Sequence, residues 1–124
     1  MGVSATASAF GITIDGAGSA ITTGVKGYLT IPYAGTINSW DILADQSGSI
    51  VVDVWKSTYA AFPPTVANRI AGTEKPTLSS AQKNQDTNLT TWTTSVAAND
   101  IIAFNVDSAA TVTRVNLIIK ITRT

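Results

Sequence analysis

Apolar and polar residues alternate along most of this chain with a period of two, the spacing that strands produce and helices do not. Phe10-Gly11-Ile12-Thr13-Ile14 reads as a first strand, followed by a flexible Asp15-Gly16-Ala17-Gly18-Ser19 turn. Gly27 to Ile31 reads as a second, stopped by Pro32, whose missing N–H confines it to a strand end or edge. Thr36 to Ala44 and Ser49 to Trp55 read as the two arms of a hairpin turning at Asp45-Gln46-Ser47-Gly48. In the register that sets Ala44 opposite Ile50, the side chains of Trp40, Ile42, Ala44, Ile50, Val52 and Val54 form one apolar face. A one-residue slip would mix them with Asp53. Burial of each large side chain contributes ~1.5–3 kcal/mol, so the apolar register is strongly favoured.

Beyond this, Ser57 to Lys83 is irregular, broken by Phe62-Pro63-Pro64-Thr65 and by Gly72-Thr73-Glu74-Lys75-Pro76. Thr87 to Val96 alternates again, and in Ile101 to Val106 the residues Ile102, Phe104 and Val106 share a face. In the final strand Val115, Leu117, Ile119 and Ile121 point one way. Val112 is out of phase with them, which predicts a bulge or bend near Thr113. About eight short strands without an amphipathic helix predict an all-β fold, an antiparallel β-sandwich of jelly-roll-like topology. The small polar residues 1–9 read as a flexible N-terminal arm or an inter-subunit strand, and residues 10–124 as one domain.

Composition narrows the function. Charged residues make up 13% of the 124 residues, and the eight basic and eight acidic side chains cancel. No cluster of Lys and Arg could neutralise a run of phosphates, so no nucleic-acid partner is expected. No apolar run is long enough to predict membrane insertion. Met1 to Phe10 has no basic start and no long apolar centre, which predicts no secretory signal and synthesis in the cytoplasm. With no histidine and no cysteine, the sequence offers no imidazole base, thiolate nucleophile or usual zinc site. The sole glutamate, Glu74, lies in a loop, and a two-carboxylate hydrolase is not expected. Asp41 and Asp53, opposite each other in the hairpin register, could hold a cation, but calcium needs six or more oxygens from a shaped loop. Neutralisation by Lys or Arg of a neighbouring strand is the stronger reading, so no metal, cofactor or catalytic residue is assigned.

The aromatics suggest binding instead. Trp40 falls on the core face, whereas Trp55 points outward and Tyr59 opens the long loop. Trp55 and Tyr59, with the loop residue Asn68, are the candidate ligand-binding residues for a cell-surface glycan. Leu43, Val51, Trp55 and Ile118 are apolar positions on faces that a lone sandwich would leave wet, and they are the candidate oligomer interface.

Several stretches are similar to a recurrent domain of bacteriophage tail and tail-fibre proteins. They are Ile21 to Gly27, Ala44 to Lys56 (ADQSGSIVVDVWK), Phe62-Pro63-Pro64-Thr65-Val66 and Phe104 to Thr111 (FNVDSAAT). The resemblance covers most of the chain. It implies a non-enzymatic virion component, a homotrimer exposed on the particle with a role in host attachment, and it carries over no catalytic residue. The alternative reading is a carbohydrate-binding module that uses the Trp and Tyr side chains to stack on sugars.

Overall fold

The structure is a computed structural model and describes residues 6–124. It is all-β, with seven antiparallel strands in one curled sheet. They are β1 (Thr6–Asp15), β2 (Gly24–Ile31), β3 (Gly35–Ser57), β4 (Thr77–Asp86), β5 (Ser95–Val96), β6 (Asp100–Ala110) and β7 (Arg114–Arg123). A single 3-10 turn, Val66–Asn68, interrupts the long connection between β3 and β4. The main strand order is β1-β7-β3-β6-β2, with β4 and β5 also paired to β3.

The expected hairpin is instead one strand of 23 residues, β3. Its first half pairs with β7, from Gly35↔Arg123 to Ala44↔Val115, and its second half with β6, from Ser49↔Ala110 to Ser57↔Ile101. β6 and β7 therefore run almost end to end beside β3, and both chains change partner at the same level. Asp45-Gln46-Ser47-Gly48 stays extended because its side chains bind the Thr111–Thr113 connection rather than closing a turn. The Asp45 carboxylate accepts from the Thr113 hydroxyl and from the backbone N–H groups of Thr113 (3.2 Å) and Arg114 (3.1 Å). The Gln46 amide donates to the Thr111 carbonyl at 2.8 Å. Led by the Thr113 hydroxyl, these donors hold the Asp45 carboxyl below its ordinary range. The bend expected near Thr113 is present as the break between β6 and β7.

The apolar phase is as expected even though the connection is not. Trp40, Ile42, Ile50, Val52 and Val54 are all buried, while Ala44 is half-buried. A register shift between Ile37 and Ser39 lets Ile37 join the same face from an odd position. Ile14, Val115, Leu117, Ile119 and Ile121 on one side of the bend and Ile31, Ile102, Phe104 and Val106 on the other belong to the same hydrophobic cluster.

Two segments differ from expectation. β4 begins inside the stretch read as irregular and runs three residues past its end at Lys83; it has no apolar rhythm because only Leu78 of its ten residues is buried and the rest is the polar edge of a sheet. Conversely, Thr87 to Val96 is mostly loop, with strand only at Ser95–Val96. Its Leu89 and Trp92 pack on the core, and backbone hydrogen bonds from the Thr93 N–H to the Ile70 carbonyl and from the Ile37 N–H to the Thr94 carbonyl, both 2.8 Å, tie the loop to its neighbours. Glu74 holds this loop in place: its carboxylate accepts from the hydroxyls and backbone N–H groups of Thr90 and Thr91, and its carbonyl accepts the indole N–H of both Trp40 (3.1 Å) and Trp92 (2.9 Å). At the other end of the chain, residues 6–9 are not a flexible arm, since β1 starts at Thr6 and pairs with β7 from there. Residues 1–5 of that expected arm lie outside the described residues.

Three outcomes follow for stability. Thr111 has φ 78°, a left-handed conformation that a β-branched residue adopts at a cost, so Thr111→Asn should raise stability by about 1 kcal/mol in urea unfolding. At Gly48 an added Cβ would lie 2.7 Å from the Ala110 carbonyl oxygen and 2.8 Å from Val112 Cγ1, so Gly48→Ala should destabilise by about 1–3 kcal/mol in the same assay. The hydroxyl and N–H of Thr91, then the contacts to Asp86 and Thr90, pull the Glu74 carboxyl from its usual 4.5 down to about 2. A depressed carboxyl stabilises the fold above its unfolded pKa and loses that contribution as pH falls through the folded value. Glu74→Gln should therefore lower the melting temperature at pH 6, with the difference from wild type shrinking between pH 4.5 and about 2. A difference that stays constant across that range would contradict the assignment.

Candidate functional site

Strand alternation on β2 sends Leu29 and Ile31 toward the core and leaves Tyr28 and Thr30 on the outer surface. β6 lies beside β2, with Tyr28 opposite Ala103 and Thr30 opposite Ile101. The chain leaving β3 then folds back over this surface. Ala61 N–H donates to the Thr58 carbonyl (3.2 Å) and Phe62 N–H to the Tyr59 carbonyl (3.3 Å), two overlapping turns that place Tyr59 and Phe62 three residues apart on a tight loop. The Phe62 ring meets Tyr28 edge to face, with centroids 4.9 Å apart and planes at 71°, a favoured geometry for two aromatic quadrupoles.

Tyr28, Thr30, Tyr59, Phe62 and Ile101 line a cleft of about 450 Å³. Tyr28 is 47% exposed, Phe62 44% and Tyr59 76%, so three of the six exposed large hydrophobic side chains among the described residues meet at this one place. The lining contains no charged side chain and offers the hydroxyls of Tyr28, Tyr59 and Thr30. Beside it, Ser57 is the register partner of Ile101, and its buried hydroxyl has no hydrogen-bond partner. The cleft thus combines apolar ring faces with neutral hydroxyl groups, a surface suited to a neutral polyhydroxylated ligand and not to an ion.

Of the residues selected from sequence, Tyr59 is in the cleft. Trp55 is not among its lining residues: it stands two strands from Tyr28 with Ala103 between them. Its indole N–H donates to Asp53 Oδ2 at 3.0 Å, and its backbone forms a bridge to Arg69, which leaves the ring half-buried within its own chain. Asn68 is exposed but committed, because its Oδ1 accepts the Thr65 N–H at 2.8 Å in a capping box at the 3-10 turn. Sequence reading missed Tyr28, Thr30, Phe62 and Ile101. The available signal was modest: Tyr28 and Thr30 share one strand face, and Phe62 precedes two prolines that fix the loop.

The expected interface residues occupy two places. Leu43, 46% exposed, and the half-buried Ile118 lie on the β7 side of the bend, whereas Val51 and Trp55 lie beyond it, on the half of β3 that pairs with β6. A second depression of about 350 Å³ adjoins Leu43, lined also by Asp41, Lys83, Asn84 and Gln85. It is built largely from polar side chains of the edge strand β4.

Asp41 and Asp53 are not opposite each other but twelve positions apart on one strand, each with its own lysine. Lys120 Nζ lies 3.1 Å from Asp41, and Lys75 Nζ lies 3.8 Å from the buried Asp53. Asp53 is further held by its own Trp55 and by the Val54 N–H (3.0 Å), while Lys75 also binds Asp107 at 2.8 Å. Neutralisation by neighbouring strands and loops is thus the arrangement found. Among the described residues, no group of three or more acidic, His or Cys side chains is gathered to hold a metal. The two carboxyls held low, Asp45 and Glu74, serve the structural contacts described above and do not line the aromatic cleft. No protein-family model, curated protein or solved structure matches this chain.

Proposed function

We propose that this chain is a non-catalytic attachment module that holds a neutral carbohydrate in the Tyr28–Tyr59–Phe62 cleft. The observation that carries the reading is the exposure of Tyr59 beside the Tyr28–Phe62 pair, an arrangement that leaves aromatic faces open to solvent. A sugar ring presents an apolar C–H face that can lie on such a surface, while its hydroxyls exchange hydrogen bonds with the tyrosine and threonine hydroxyls of the lining. An uncharged lining disfavours acidic sugars, which would lose hydration without gaining a cationic partner.

The wider setting we propose is a virion part of the phage tail or fibre kind, on the strength of the sequence resemblance. Two of the stretches that carry it, Ala44 to Lys56 and Phe104 to Thr111, include the residues on both sides of the sheet's bend. A third, Phe62 to Val66, begins with a wall of the cleft. Attachment to a host-surface glycan joins the two parts of the proposal.

Glycan-array screening followed by calorimetric titration tests the site. The chain should bind neutral saccharides, and Tyr59→Ala should weaken that binding about tenfold, equivalent to ~1.4 kcal/mol. Because Tyr59 is largely exposed, its removal should change folding stability by no more than about 0.5 kcal/mol. Trp55→Ala should do the reverse, lowering the melting temperature through loss of its contact to buried Asp53 while sparing affinity. A silent array, or a Tyr59→Ala variant that binds like wild type, would refute the proposal.

A further inference from the structure

The sheet's edges are not equally protected. β2 lies at one end of the strand order, and it carries a bulge between Val25 and Gly27, a lysine at position 26 and a proline immediately after its last residue. β4 has two register shifts against β3, a left-handed Ser80 (φ 47°), and the charges of Lys83 and Asp86. These are devices that stop a strand edge from pairing with another chain. β1, at the opposite end, has none of them. It pairs with β7 without a shift from Thr6↔Arg123 to Asp15↔Arg114, and from Thr6 to Ile14 it contains no charge and no proline. Ten residues at about 3.3 Å each give an edge roughly 33 Å long. From Thr6 to Ile14, no backbone hydrogen bond beyond the β1–β7 ladder occupies it among the described residues.

We propose that this edge is taken by β1 of a second copy, antiparallel, about a two-fold axis close to Gly11, a dimer in place of the homotrimer that the sequence resemblance implies. The edge is complementary to itself because it is neutral. With the axis at Gly11, Ala9 faces Thr13 of the other copy, and Asp15, already 3.6 Å from Arg114, faces an alanine rather than a like charge. Gly11 also leaves a gap in the outer surface of the sheet. A Cβ there would lie 2.2 Å from the Leu117 carbonyl oxygen, so the position stays glycine, and Ile118, its register partner on β7, remains half-exposed. A strand added beside Gly11 brings side chains alongside that uncovered isoleucine. The pairing also gives the backbone N–H and C=O groups of the edge partners other than water. The shallow depression of about 190 Å³ at Gly11–Thr13 is lined by no charged side chain that would select a foreign peptide, whereas an identical edge supplies matching length, neutrality and register.

Light scattering on the eluting chain should give the mass of a dimer. Ala9→Lys/Thr13→Lys should shift it to monomer, as like charges meet across the pair, and so should Ala9→Asp/Thr13→Asp. An equimolar mixture of the two charged variants should return to dimer. Since the sequence contains no cysteine, Ala9→Cys/Thr13→Cys provides an independent test that does not depend on weakening anything: oxidation should yield a covalent dimer on a non-reducing gel. A monomeric or trimeric wild type, charged variants that remain dimeric, or a cysteine variant that fails to cross-link would each overturn the proposal. The aromatic cleft lies on β2, β6 and the loop after β3, so saccharide binding can fail or succeed independently of these results.

Discussion

The fold depends on one shared bend. β3 and the β6–β7 segment run antiparallel past each other, and both must turn at the same level for the inner faces of the two halves to contribute to one core. Asp45 and Gln46 enforce that agreement from β3 by hydrogen bonding the Thr111–Arg114 connection, with Gly48 allowing the backbones to approach. If the two bends fell out of step, every side chain beyond them would be displaced relative to its partner. A single exposed carboxylate thus does more for the geometry than its exposure suggests, because it fixes the point at which the ribbon changes sheet partners.

The same bend explains what could be read from the sequence. A hairpin closing at Asp45–Gly48 and a continuous strand through it both put Trp40, Ile42, Ile50, Val52 and Val54 on one face, since all occupy even positions. Periodicity therefore located the core and could not distinguish the two connections. The deciding information lies in hydrogen bonds spanning 65 to 69 residues, which no local pattern contains. Likewise β4 was hidden because an edge strand with one buried side chain has no apolar rhythm, and Thr87–Val96 looked like a strand because Leu89, Thr91 and Thr93 alternate, although most of the stretch is a loop anchored inward by Leu89 and Trp92.

The candidate site was legible only where position along the chain was enough. Tyr59 stood out as an aromatic opening an irregular stretch. Trp55 lies outside the cleft, and the clue was two residues away: Asp53 and Trp55 share a strand face, so the carboxylate can accept the indole N–H. That contact, with Lys75 and the Val54 N–H, helps satisfy a charge that is almost wholly removed from solvent. Tyr28 looked like any outer-face residue until the Tyr59–Phe62 loop was seen to fold back toward it. The cleft is a product of tertiary packing between segments that are individually unremarkable.

The strand order has a temporal consequence. β7 follows the other six strands along the chain, yet it sits between β1 and β3 and, among the described residues, is the one ladder partner of β1. While a nascent chain is still short of β7, its first strand has no native neighbour, and the first half of β3 lacks one of its two. Such distant pairings are slow to close, because much chain entropy is lost before any contact rewards it. Until β7 pairs, β1 and one side of the first half of β3 lack their native ladder, whereas β2, β4 and the second half of β3 already have theirs.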